Sequence, residues 1–232
     1  MIAVRPLRRE ILMLDCIEHT TGRSPAWSIL WLHGLGADGH DFAPIVPQLV
    51  RRDWPPIRFV FPHAKVRPVT INNGQSMRAW YDIVSQKFDN RADEAGVRDS
   101  IMEVEALIAR ERDRGVPSAR VILVGFSQGG AIALATGLRR QAAVAGIAAL
   151  STYLPLAEAT ASEITDAGRA TPVFMAHGAQ DPVLPQAIGQ RSRELLQALR
   201  VAVQWHSYPM PHSVCNEEIN DLGDWLAERF SA

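Results

Sequence analysis

The stretch Val121-Ile122-Leu123-Val124-Gly125-Phe126-Ser127-Gln128-Gly129-Gly130 decides how this chain is read. Four consecutive apolar residues are too few for a helix and lack a polar face, which is the pattern of a strand buried on both sides. The Ala- and Gly-rich segment Gln128–Arg139 reads as a helix. Between them lies Gly-x-Ser-x-Gly, in the strand–turn–helix setting of a nucleophile elbow. A serine on so tight a turn needs glycine on both sides, because larger side chains would collide with neighbouring backbone. The turn holds the Ser127 hydroxyl clear of the sheet and close to the helix N-terminus.

Working outward, short apolar runs alternate with longer amphipathic segments. Strands are expected at Ile11–Leu14 (as an edge strand), Ser28–Leu32, Ile57–Phe61, Val121–Val124, Val144–Leu150, Val173–Ala176 and Val201–His206. Asp41 is expected to cap a helix running to about Val50. Val97, Ile101, Val104, Leu107 and Ile108 follow helical spacing, and Gly115 and Pro117 close that helix. Gln186–Leu199 and Val214–Phe230 read as two further helices. Residues 63–92 read as irregular, with a hairpin turn at Asn72-Asn73-Gly74. The alternation predicts one α/β domain over residues 1–232, with a mostly parallel sheet covered by helices on both faces. In such sheets ligands sit beyond the carboxyl ends of the strands, so the loops there are where chemistry is sought. The segment between Val144–Leu150 and Val173–Ala176 is only about twenty residues, too short for a bulky lid.

Composition narrows the function. Of 232 residues, 47% are hydrophobic and 21% charged, which excludes a mostly disordered chain. With 24 Lys+Arg against 25 Asp+Glu, the net charge of −1 offers no basic excess for a nucleic-acid backbone. Cys16 and Cys215 are too few for a disulfide scaffold and read as reduced thiols. No apolar stretch reaches membrane-spanning length, and the basic N-terminus lacks the long apolar run of a signal peptide. A cytoplasmic location is the default expectation.

An alcohol is a weak nucleophile at neutral pH, so Ser127 needs a base and the base needs an orienting acid. On this fold their expected chain order is Ser, then Asp or Glu, then His. Three histidines follow Ser127. His212 lies in a loop between the last strand and last helix, where it can overhang the sheet edge. His206 falls inside a strand. His177 directly follows a strand and is a genuine rival, but it precedes the acid and breaks the order. Asp181, just after Val173–Ala176, is the best acid; a turn aspartate before Pro182 is the alternative. Asp166 reads as a solvated loop charge, and Asp221 and Asp224 as the polar face of the last helix. A developing oxyanion needs two backbone donors. The Gln128 amide follows the nucleophile, and the Leu35 amide lies in His33-Gly34-Leu35-Gly36 after an earlier strand.

Other chemistries find no support. Neither H-E-x-x-H nor C-x-x-C occurs, so no zinc site is implied, and no phosphate-binding G-x-x-x-x-G-K-[ST] occurs. The glycines at 34, 36 and 39 have the spacing of a dinucleotide-binding turn, but the expected ribose-binding position offers no acidic residue except Asp53 or one nearby, before a poor strand, so that reading is weak. Cys215 reads as a helix-start cysteine.

Taken together, Leu32-His33-Gly34-Leu35-Gly36-Ala37-Asp38, Ala79-Trp80-Tyr81-Asp82, Gly125 to Gly130, His177-Gly178 with Asp181, and Tyr208-Pro209-Met210 with His212 resemble the phospholipase/carboxylesterase family of small α/β-hydrolases. That group includes bacterial carboxylesterases and acyl-protein thioesterases. The resemblance runs from about Trp27 to the C-terminus, and Arg67 to Trp80 is most similar to the bacterial carboxylesterase branch. It implies the α/β-hydrolase fold without a large lid, Ser127 as nucleophile, His212 as base, Asp181 as acid, and the Leu35 and Gln128 amides as oxyanion hole. One departure is Pro211, where glycine is common in relatives. The expected activity is serine carboxylester hydrolysis through an acyl-enzyme. The alternatives are a thioesterase acting on acyl-proteins or acyl-CoA, and a non-catalytic binding protein on the same fold. Trp80, Met77, Leu154 and Leu184 are candidate pocket residues, with ordinary packing the alternative at each. No cofactor or metal is implied, and the resemblance allows for a homodimer.

Overall fold

The computed structural model describes residues 13–84 and 93–231. In chain order the elements are β1 (Cys16–Thr20), β2 (Trp27–Leu32), a 3-10 turn (Ala43–Ile45) running into α1 (Val46–Leu49), β3 (Ile57–Pro62), β4 (Val66–Val69), β5 (Gln75–Arg78), α2 (Glu94–Asp113), β6 (Val121–Phe126), α3 (Gln128–Arg139), β7 (Gly146–Leu150), α4 (Ala157–Glu163), α5 (Asp166–Ala170), β8 (Val173–Gly178), α6 (Gln186–Ala198), β9 (Val203–Tyr208) and α7 (Asn216–Phe230). Among the described residues, seven strands form one sheet in the order β1-β3-β2-β6-β7-β8-β9, and β4 and β5 form a separate hairpin. Every neighbouring pair in the large sheet is parallel except β1 with β3. This is the α/β-hydrolase architecture expected from the sequence.

Strand periodicity builds two cores, one on each face of the sheet. Leu30, Leu32, Val60, Leu123 and Ile147 point to one face and pack with Leu107 of α2, Leu134 of α3 and Leu196 of α6. Ile29, Trp31, Phe59, Phe61, Ile122 and Phe174 point to the other and meet Leu49 of α1 and Leu222 and Trp225 of α7. Chain direction across the sheet reverses between β2 and β6: β3 lies on one side of β2, and β6, β7, β8 and β9 follow on the other. The loops leaving β2 and β6 diverge there and open a crevice at the carboxyl ends.

Two expectations fail locally. The edge strand among the described residues is Cys16–Thr20; of the expected Ile11–Leu14, Ile11 and Leu12 lie outside the described residues, and Met13 and Leu14 are irregular. An antiparallel edge strand needs only one buried face, so a polar run such as Glu18-His19-Thr20 can form it without an apolar signature. Asp41 caps no helix. Pro44 and Pro47 interrupt the segment, leaving a 3-10 turn with Phe42 at its N-cap and then a single helical turn. Within 63–92, the turn at Asn73 and Gly74 is found as expected, both residues having left-handed φ (55° and 73°) and joining β4 to β5.

Candidate active site

Ser127 sits between β6 and α3 with φ 53° and ψ −120°, a strained backbone for a residue with a side chain. Two glycines make the turn possible. A Cβ on Gly125 would stand 2.4 Å from the Gly129 carbonyl carbon, and one on Gly129 would stand 2.2 Å from the Leu32 oxygen. The Ser127 N–H donates to the Leu150 carbonyl at 2.8 Å, and Thr152 Oγ1 donates to the Ser127 carbonyl at 2.6 Å. The turn is therefore pinned to β7 and to the loop after it. No side chain caps α3, so its first N–H groups remain available.

The structure brings the three residues of the expected relay together. His212 Nε2 lies 2.9 Å from Ser127 Oγ, and His212 Nδ1 lies 2.6 Å from Asp181 Oδ2. A carboxylate only accepts, so Nδ1 carries the hydrogen and Nε2 is left to receive the serine proton. The Asp181 side chain is fully buried. Its second oxygen, Oδ1, accepts the backbone N–H groups of Val183 (2.9 Å) and Leu184 (2.8 Å). The turn carrying Asp181 is stitched to the loop carrying His212, because Ala179 N donates to the Tyr208 carbonyl and Gln180 N to the Met210 carbonyl. Gly178 allows this approach: a Cβ there would stand 2.4 Å from the Pro211 oxygen. Pro211 itself leaves His212 within reach of both partners.

Of the rivals, His177 is buried inside β8, with Nε2 bonded to the Leu184 carbonyl. His206 lies in β9, with its Nδ1 3.2 Å from Asp221. Asp221 also accepts from Tyr208 OH, Asp224 pairs with Arg51, and Asp166 opens α5 behind its Thr165 cap. Cys16 and Cys215 are both free thiols, and Cys215 stands at the N-cap of α7.

The loop after β2 faces the elbow. Gly36 adopts φ 77°, its N–H donating to the Arg78 carbonyl, and Ala37 N turns back to the Gly34 carbonyl. Leu35 lies between them and lines the cavity beside Gln128. His33 underpins this loop. Its Nε2 accepts the Ala64 N–H at 3.0 Å, so its Nδ1 donates to the Gly34 carbonyl at 2.7 Å. Burial holds His33 at a pKa of about 4, which keeps the ring neutral.

A cavity of about 720 Å³ opens over Ser127 and His212. Its walls include Leu35, Ile71, Tyr81, Ile83, Tyr153 and Ile188. Leu184 lines it, as the sequence predicts. Trp80, Met77 and Leu154 are not among its lining residues, each for a structural reason. Trp80 is a fully buried brace: its indole N–H donates to the His33 carbonyl, and Gln128 Oε1 accepts its backbone N–H. Met77 packs against Gly36 in the loop after β2, its sulfur accepting from Asn72 Nδ2. Leu154 is packed in the core, its N–H donating to Ser192 Oγ. The sequence reading missed Tyr81 and Tyr153, whose hydroxyls meet at 2.7 Å, and the rim Pro182-Val183-Pro185. The rim was legible in principle, because it directly follows the acid; Tyr153 meets Tyr81 across 72 residues of chain.

Asp38, His40 and His63, near the mouth of the same loop, offer ligand atoms within 4.8 Å of one another. They are already engaged: His63 Nδ1 accepts the Gly39 N–H, and Asp38 Oδ1 takes the His40 backbone N–H and lies 3.0 Å from His40 Nδ1. These bonds shape the loop and occupy the lone pair of His63 that a metal would need.

Comparison with known proteins places this geometry in context. The family model of the phospholipases and carboxylesterases matches residues 17–229. An acyl-protein thioesterase 1 of Mycosarcoma maydis is 40% identical over 96% of this chain and 99% of its own length. One of Cryptococcus neoformans is 37% identical, over 87% and 91%. Among solved structures, Arabidopsis thaliana SOBER1 superposes with TM-score 0.83 at 32% identity, covering 88% of this chain and 98% of the other. Zea mays acyl-protein thioesterase 2 does so with TM-score 0.79 at 26% identity, over 92% and 99%.

Proposed function

The chain belongs to the phospholipase/carboxylesterase family and is an ester-hydrolysing enzyme, and we propose that its substrates are acyl thioesters, with S-acylated protein as the class. The sequence points first to carboxylesters, with thioesters as the alternative. The similarity to acyl-protein thioesterases at 37–40% identity favours the alternative. The observation that carries the mechanism is the unbroken relay from Asp181 through His212 to Ser127, opening into a mostly apolar cavity.

In the proposed mechanism Ser127 Oγ attacks the acyl carbonyl while His212 Nε2 takes its proton. The negative charge that develops on the carbonyl oxygen is met by the Leu35 and Gln128 N–H groups, each contributing about 3 kcal/mol in the transition state. The C–S bond then breaks, and His212 returns the proton to the departing thiolate. Water repeats the sequence on the acyl-serine, releasing the fatty acid and restoring Ser127. Asp181 keeps the His212 Nδ1–H aimed and stabilises the imidazolium that forms. Ester and thioester share this tetrahedral path. What favours the lipidated substrate is an apolar wall of Leu35, Ile71, Ile83, Leu184 and Ile188 reaching the reacting centre.

The test compares kcat/KM on a palmitoyl-cysteine peptide and on p-nitrophenyl esters from acetate to palmitate, with Ser127→Ala beside the wild type. The variant is expected to lose about 10⁴-fold or more in kcat with its fold unchanged. A higher kcat/KM for the thioester supports the proposal; a consistent preference for oxygen esters returns the protein to the carboxylesterase reading.

A further inference from the structure

His177 lies in β8, four residues before the acid, and is fully buried. A carbonyl oxygen can only accept, so Nε2 carries the ring hydrogen and donates it to the Leu184 carbonyl at 2.8 Å. The same nitrogen stands 3.5 Å from Asp181 Oδ2, the oxygen that receives the His212 Nδ1–H. The other ring nitrogen, Nδ1, has no hydrogen-bond partner. It faces Gly189 of α6, where a Cβ would lie 2.5 Å from it. Trp205 of β9 stacks on the ring with centroids 6.1 Å apart, and the Arg193 guanidinium of α6 lies over Trp205. Burial pushes the ring's titration below the ordinary histidine range, so it stays neutral.

This placement removes His177 as an alternative base, because one nitrogen is committed and the other is sealed. Leaving a buried ring nitrogen unpaired is unfavourable, and nothing in the proposed chemistry uses the side chain. We propose that His177 is a positioning residue for the acid of the relay: its Nε2–H clamps the Asp181–Leu184 turn and thereby fixes Asp181 Oδ2 against His212. The two faces of the turn are held by different partners. Asp181 Oδ1 takes the Val183 and Leu184 N–H groups from inside the turn, and His177 takes the Leu184 carbonyl from the strand. With the Leu184 peptide fixed by His177, turning the carboxylate away from His212 breaks the Oδ1 bonds to the Val183 and Leu184 N–H groups. The same peptide sets Leu184 on the cavity wall, so one imidazole anchors both the acid and a piece of the acyl pocket.

The inference rests on Ser127, His212 and Asp181 being the catalytic relay, and its test separates the two readings. Glutamine carries its amide at about the reach of Nε2, whereas asparagine carries it at the reach of Nδ1, away from Leu184. After circular dichroism confirms the fold, His177→Gln is expected to keep kcat within about threefold of wild type. His177→Asn is expected to lower kcat about 10–100-fold with KM changed less than about threefold, as misaligned groups do. If the Asn variant does not fold, His177→Leu, which fills the space without a donor, replaces it with the same expectation. Wild-type kcat in His177→Asn (or in His177→Leu where it stands in), or a loss there equal to that in His177→Gln, overturns the positioning role. An active Ser127→Ala control overturns the relay itself.

Discussion

Gly129 shows how narrowly the elbow is determined. Its Cα approaches the end of β2 so closely that a Cβ would fall 2.2 Å from one carbonyl oxygen and 2.6 Å from the next, His33 O. Backbone cannot yield as a flexible side chain can. Gly129→Ala is therefore expected to destabilise the protein by about 2–3 kcal/mol, read from urea unfolding, and to reduce kcat by shifting Ser127. An unchanged unfolding midpoint would refute the close approach. Ile188 makes the complementary case for the cavity. It is half-buried on the wall near the Pro182–Pro185 rim. Ile188→Trp is expected to lower kcat/KM for palmitoyl substrates about tenfold while acetyl turnover changes little, because only the long chain needs that space. Equal effects on both would place the acyl chain elsewhere.

Between strand and helix, a buried polar tie is made by Glu111, near the C-terminus of α2. Its carboxylate is fully buried. Oε2 accepts from Ser28 Oγ of β2 at 2.6 Å and Arg58 Nη1 of β3 at 2.7 Å, and Oε1 from Arg114 at 3.0 Å. This joins a helix to the two strands whose carboxyl ends lead toward the site. Glu111→Ala leaves Arg58 buried without its partner, and a loss of about 3–5 kcal/mol is expected in denaturant titration. A loss below about 1 kcal/mol would mean that solvent compensates Arg58. The reading of these elements from sequence succeeded wherever burial on both faces made a continuous apolar run, as in β2, β6 and β8. It failed at β1, whose polar residues carry no such run. It failed also at α1, where Pro44 and Pro47 override the cap signal of Asp41.

Across the molecule, two buried titrating groups bend the pH dependence of folding in opposite senses. His33 is held at about 4 by burial, below its unfolded value of 6.5. Its neutral form is the folded form, so its contribution is intact above pH 6.5. About 3 kcal/mol of it is lost as pH falls toward 4. Glu218 of α7 is fully buried, and burial outweighs the hydrogen bond from the Cys215 backbone and raises it to about 8. Here the folded state binds the extra proton, so stability is fullest below pH 4.5 and falls by about 4 kcal/mol as pH rises toward 8. Glu218→Gln is accordingly expected to stabilise the protein by several kcal/mol at pH 8 and by little at pH 5, measured by urea unfolding at both. A gain independent of pH would rule out the carboxyl as its source. Among the described residues, no helix is long and apolar enough to cross a membrane.

By itself the sequence determined the alternation of strands and helices, the elbow at Ser127, and the order in which Asp181 and His212 follow it. These are local properties: apolar periodicity, glycines forced by a tight turn, and loops placed after strands. Only the tertiary structure decided which side chains meet. It set His212 Nε2 2.9 Å from Ser127 Oγ and left His177 a buried ring bonded to the Leu184 carbonyl. It moved Trp80, Met77 and Leu154 from the pocket into the supporting framework, and it paired Tyr81 with Tyr153. Those outcomes depend on contacts between segments dozens of residues apart. An apolar residue carries the same signature whether it faces a core or a cavity.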